Sequence, residues 1–100
     1  MPANRVELQA TLSAREALRY SPAGVPLLSA VLSHESGQTE AGLQRRVELE
    51  IAAVFAGRQA EAAATLPLGS RLEVRGFLAP KRRQSKLLAL HVNEFELIEV

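Results

Sequence analysis

Arg46-Val-Glu-Leu-Glu-Ile-Ala-Ala-Val-Phe-Ala-Gly-Arg-Gln-Ala-Glu-Ala-Ala-Ala64 changes its periodicity part-way along, and that change decides the fold. Val47, Leu49, Ile51, Ala53 and Phe55 alternate with Arg46, Glu48 and Glu50 in the first half. Period two is the mark of a strand with one face buried, so the apolar set is expected inward and the charged set outward. From Gly57 to Ala64 the alternation stops, and an alanine-rich run favours about two turns of helix. No other segment reads as a helix.

Upstream, Val6, Leu8, Ala10 and Leu12 alternate with Arg5, Glu7, Gln9 and Thr11, which predicts a first strand. Ser21-Pro-Ala-Gly24 is a turn signal, because Pro fixes φ and Gly permits positive φ. Val25–Leu32 is a denser apolar run, a second strand with little solvent on either face; Pro26 suits its entrance, where no ladder donor is needed. Ser36–Gly42 is polar, has two glycines and no large apolar residue, and is expected to be a mobile loop.

Downstream, Leu68-Gly-Ser70 turns the chain back after Pro67. Leu72, Val74, Gly76 and Leu78 then share one strand face, and Arg71, Glu73, Arg75 and Phe77 the other. Pro80–Lys86 is a basic loop with four of the chain's twelve positive charges and no acid. Leu87–Val92 resumes a strand, Asn93-Glu94 marks a bulge or bend, and Phe95–Ile98 completes the sheet. Three strands, a short helix and two strands is the order of an all-β, five-stranded OB-fold barrel, with the helix between strands 3 and 4. Gly76 fits a barrel corner. A single split sheet with the helix packed on it would share the periodicity.

Length and composition bound the rest. One hundred residues make one domain, 1–100, with one core, filled by Leu, Val, Ile and Ala because Tyr20, Phe55, Phe77 and Phe95 are the only aromatics. A dimer would bury further apolar surface. A net charge of +1 leaves any polyanion site to charge placement rather than to total charge. There is no cysteine, no apolar leader and no run near the about 18 apolar residues of a membrane span, so a soluble cytoplasmic protein is expected. The chain is expected to end at Val100 without an acidic or disordered tail.

Catalytic signatures are missing. His34 and His91 stand on separate strands with no cysteine to pair with, and there is no aspartate, phosphate loop or hydrolase elbow. Glu48 and Glu50 read as a solvated strand face. No enzyme activity, metal or cofactor is expected.

Single-strand binding needs cations that track phosphates and flat side chains that stack on bases. Lys81, Arg82, Arg83 and Lys86 supply the first, with Arg19 and Arg45 as candidates to join them; Tyr20, in the Arg19–Gly24 loop, is the best stacking candidate. Phe77, on the polar face beside Arg75, fits a base-stacking or a subunit-interface role, while Phe55 and Phe95 read as core.

Leu18–His34, with its Ser-Pro-x-Gly-Val-Pro turn and its strand ending in Leu-x-His, resembles the early segment of the bacterial primosomal replication protein N (PriB) family. Asn4-Arg5, Glu40-Ala-Gly42, Leu68–Arg71, Gly76-Phe77 and Glu96-Leu-Ile98 extend the resemblance over nearly the whole chain. The resemblance implies a homodimeric OB-fold of the single-stranded DNA-binding type. It implies a replication-restart factor that binds single-stranded DNA and the PriA helicase and, in some bacteria, hands over to DnaT. By the same resemblance Arg19, Arg45 and Arg82 stand at basic positions of the family. Leu43 stands for a stacking Phe, Glu48 for a Trp, Glu35 for an Arg and Gln84 for a Lys. These departures remove π surface and add negative charge to the expected DNA face. The competing reading is an OB-fold adaptor with little or no DNA binding whose basic loop docks on a helicase.

Overall fold

In the computed structural model, which describes residues 1–98, alternate residues of five segments lose nearly all contact with solvent. These are Ala10 and Leu12, then Leu28, Ala30 and Leu32, then Ala53 and Phe55, then Leu72 and Val74, then Leu90 and Val92. One apolar face from each of five strands is buried most fully by closing the sheet on itself. The elements are β1 (Val6–Arg15), β2 (Arg19–Tyr20), β3 (Pro26–Glu40), β4 (Leu43–Ala56), α1 (Arg58–Ala64), β5 (Arg71–Pro80) and β6 (Leu88–Leu97). Ladders run β1-β5-β6-β4-β3, and β3 returns to β1. The β4–β6 pairing is parallel and the others antiparallel. This is the five-stranded OB barrel that the periodicity predicted, with β2 as a two-residue extra rung on the edge of β3.

Helix α1 closes one end of the barrel. Ala60 and Ala63 are fully buried against it, and the small side chains let the helix sit close to β3, β4 and β6. Gly57 turns the chain out of β4 at φ +66°. The Arg15 guanidinium, half-buried, donates to the carbonyls of Leu66 and Ala63, which satisfies acceptors at the helix C-terminus. Inside the barrel Phe55 meets Phe95 edge-on, with centroids 5.5 Å apart and planes at 88°.

Gly76 has a steric rather than a conformational reason to be glycine. An added Cβ would lie 1.8 Å from the His91 carbonyl oxygen. The close approach coincides with a bulge: Arg75 pairs with Glu94 but Gly76 pairs with Val92, so Asn93 is the extra residue. The expected Asn93-Glu94 irregularity is therefore present.

Three expectations need revision. The Ser36–Gly42 segment is not a loop. Residues 36–40 stay in register with β4, from Ser36↔Val47 to Glu40↔Leu43, and only Ala41-Gly42 turn. Both turn residues have positive φ, 52° and 78°, as a two-residue hairpin requires. Leu49 is not a core residue either. The hairpin projects beyond the barrel, and Leu49 remains 39% exposed. Leu87 belongs to the basic loop rather than to β6. Glu99 and Val100, and with them the expected end of the chain, lie outside the described residues. Among the described residues no helix is long and apolar enough to cross a membrane.

Candidate nucleic-acid interface

Burying Leu28, Ala30, Ala53 and Phe55 forces their neighbours outward. Ser29 stands opposite Val54, and Val31 opposite Ala52, on the outer face of β3 and β4. These four small, half-buried side chains floor a groove of about 500 Å³. One wall carries Arg15, Glu16 and Arg19, from the chain between β1 and β3; the other carries Lys81 and Arg82, from the loop between β5 and β6. Three exposed cations thus face each other across a floor without charge.

Each wall is held locally. Arg19 Nη1 donates to Ser29 Oγ at 2.8 Å, which aims the guanidinium over the floor. The Ser21 turn is closed by Gly24 N–H to Ser21 O at 2.8 Å and Val25 N–H to Ser21 Oγ at 3.1 Å. In the basic loop Lys81 N–H donates to Leu87 O at 2.7 Å and Ser85 N–H to Arg82 O at 2.9 Å, and Gln84 adopts φ +62°. Four backbone-linked residues, 82–85, thereby form the tip. Arg83 and Lys86 are exposed on it, and among the described residues none of Lys81, Arg82, Arg83 or Lys86 is paired to a carboxylate.

The remaining expected site residues lie elsewhere. Tyr20 is 62% exposed on β2, but it pairs with Pro26, so alternation turns it to the opposite side from Arg19, and it does not line the groove. Arg45 is on the hairpin. Strand alternation groups it with Val47 and Leu49 rather than with Ala52 and Val54, and it is ion-paired to Glu40 at 2.5 Å. It does not line the groove.

Further along the same outer face the charge reverses. Ser33 faces Glu50, and Glu35 faces Glu48. Arg46 spans this last pair, 2.8 Å from Glu35 and 2.6 Å from Glu48. The hydrogen bond that Arg46 donates to Glu48, then the field of Glu35, hold its guanidinium pKa above the usual arginine value. A second concavity, about 1090 Å³, opens between β1 and the hairpin and is walled by Glu7, Glu35, Glu48 and Glu50 with Arg71. It is the larger of the two, but four carboxylates to one arginine make it unfit for a polyanion. His34 sits in its wall as a structural bridge: Nδ1 donates to Gln9 O at 2.6 Å, and Nε2 meets Ser36 Oγ at 2.8 Å. That bridge ties β3 to β1 just beyond their last ladder pair, Thr11↔Ser33.

Sequence reasoning missed two residues. Arg15 lines the groove while holding the helix, and nothing in its neighbourhood in the chain announces this. His91 lies flat against Phe77, with centroids 5.1 Å apart and planes at 9°. Their pairing depends on the bulge register, which the sequence pattern does not contain.

A closed OB barrel with a cationic cleft over strands β3 and β4 defines a single-strand-binding type of module. The comparisons agree: residues 4–94 match the model of a family described as another single-strand binding protein family. The chain is 46% identical over 91 residues to the replication restart protein PriB of Bordetella pertussis, covering 91% of this chain and 85% of that one. The PriB structure from Ralstonia solanacearum superposes with a TM-score of 0.89 at 37% identity, over 98% of this chain and all of that one. The single-stranded DNA binding protein from Thermus aquaticus superposes with a TM-score of 0.76 at 29% identity, over 97% of this chain and 50% of its own. The chain belongs to the PriB family of replication restart proteins within this single-strand-binding group.

Proposed function

We propose that this chain, as one OB-fold unit over residues 1–100, is a non-catalytic accessory factor of replication restart. It binds single-stranded DNA across the β3–β4 face, bridges to the PriA helicase, and acts as a cytoplasmic homodimer without cofactor or metal. Where a DnaT loader is present, it is the next partner. One observation carries the DNA part: Arg19 confronts Lys81 and Arg82 across an uncharged floor. Phosphates are tracked by such cations, and Arg83 and Lys86 extend the positive field. Tyr20, on the other side of the β2 edge from Arg19, stacks on a base only if the strand wraps round that edge. Arg45 enters only if DNA displaces its pairing with Glu40. The names of the PriB relatives support the restart context.

The adaptor reading draws on a different observation: Glu35, Glu48 and Glu50 occupy the outer face beyond the groove. A titration of labelled oligo-dT against salt separates the two. Log affinity falls by roughly 0.7 per phosphate neutralised, so three groove cations give a slope of about −2, and all five about −3.5. Lys81→Ala with Arg82→Ala should flatten the slope by roughly 1.4. No measurable binding even at low salt overturns the DNA reading and leaves the adaptor.

A further inference from the structure

We propose that the stacked Phe77–His91 pair is a base-stacking point at the end of the DNA face remote from Arg19 and β2. The inference rests on the single-stranded DNA reading above. Ser29 pairs with Val54, Val54 with His91, and His91 with Phe77. The groove floor, His91 and Phe77 therefore form one continuous outward row that follows the barrel from β3 through β4 and β6 to β5. Tyr20 on β2 stands off this row, since it pairs with Pro26 and alternation turns it away from Arg19 and Ser29; Phe77 and His91 are the aromatic side chains that the row itself carries.

The pair is already shaped for a planar ligand. Its two rings are parallel within 9° and offset at 5.1 Å, so an added base continues an existing stack rather than assembling one. Each ring holds the other in place, which lowers the entropy lost on binding. Phe77 is 37% exposed on a strand whose other outward residues are Arg71, Glu73, Arg75 and Ala79. The charges nearby do not bar a strand. In the next row Glu94 is held by Arg75 at 2.9 Å, which also holds Glu73 and Glu96. On the other side the β1–β5 register, continued by one residue from Val6↔Gly76, brings Arg5 next to Phe77. The hairpin end of the face carries Glu35, Glu48 and Glu50 with Arg46, the same ratio of three carboxylates to one arginine. What favours the path across β6 and β5 is Arg5 and the ring pair, not a smaller number of acids.

Four strand spacings separate β2 from β5, about 19 Å along the curved sheet. That is a short site, at the small end of the roughly 4–16 nucleotides that an OB fold covers.

The test compares wild type, Phe77→Leu and Phe77→Trp on labelled oligo-dT over a salt series. Leucine keeps apolar bulk, and an unchanged thermal midpoint certifies its fold. Affinity should fall roughly five- to a hundredfold at every salt concentration, with the salt slope unchanged because no cation is lost. The chain has no tryptophan, so Phe77→Trp is a single reporter, and oligo-dT should quench it. If wild type binds and Phe77→Leu binds equally well, or the tryptophan is not quenched at saturation, this inference is overturned and the groove reading stands. If wild type does not bind at low salt, both fall.

Discussion

Replacing Gly76 by alanine sets two physical effects against each other, and their magnitudes decide the sign. Gly→Ala in a strand restricts the unfolded chain and by itself stabilises by about 0.4–1 kcal/mol. In the folded barrel the new Cβ lies 1.8 Å from His91 O, 2.8 Å from His91 C and 3.1 Å from Val92 Cα. All three are backbone atoms, so no side chain can swing aside. Reaching even 3.0 Å from the oxygen requires β5 and β6 to part by about 1.2 Å at the bulge. A ladder bond stretched by that amount passes about 4 Å and is lost. Two such bonds contribute roughly 1 kcal/mol each. Overpacking beside Val74 and Val92 adds about 1–3 kcal/mol. The net prediction is a loss of roughly 2–4 kcal/mol, a large share of the about 5–15 kcal/mol that such a domain has. Urea unfolding followed by circular dichroism, at matched protein concentration, measures it, and the thermal midpoint should drop by roughly 10–30 °C. A variant within 0.5 kcal/mol of wild type, with the same urea dependence, would refute the claim that strand approach makes this residue glycine.

Other perturbations address the helix and the face. Arg15→Ala should destabilise by about 1–2 kcal/mol, because buried carbonyls at the C-terminus of α1 lose a charged donor; a Lys in its place, which lacks the forked geometry, should recover less than half by the same unfolding assay. Glu35→Gln with Glu48→Gln should raise oligo-dT affinity several-fold at low salt and steepen the salt slope, since Arg46 is released for phosphate. Unchanged binding isotherms for that double variant would mean that the strand does not come near the hairpin.

Legibility followed burial. β1 and β5 were readable because one side of each is packed: Ala10, Leu12, Leu72 and Val74 stand at the alternate positions that the core demands. The β3–β4 arm beyond Ser36 was not readable, because solvent reaches both of its faces and its register rests on backbone bonds and exposed polar pairs such as Arg45–Glu40, without a buried face; polar residues and Gly37 there look like a loop. Strand β2 is two residues long, too short for any period. In the site, the cations of residues 81–86 announced themselves by lacking acids among them. Arg45 did not reveal its place, since one step of strand alternation separates it from the groove face, and Glu40 comes beside it only when the hairpin forms. His91 needed the bulge at Asn93: without it Phe77 would stand opposite Val92, and the ring pair would not form.

The same bulge links stability to the form of the interface. Shifting the β5–β6 register by one residue at Gly76 lets Val92 and Phe95 both point inward although they are three residues apart. It also sends His91 outward, level with Val54. A barrel with an unbroken register would turn Val92 out of the core and set it, in place of His91, opposite Phe77. The glycine that permits the close approach is thus upstream of two things at once, barrel closure and the aromatic end of the face. Arg75 and Arg46 complete the division of that face. Each is tied down by at least two carboxylates, so neither adds a free cation to the surface. Positive charge open to a phosphate is left mainly at the groove walls and the loop tip, which directs a single strand across the barrel rather than out along the hairpin.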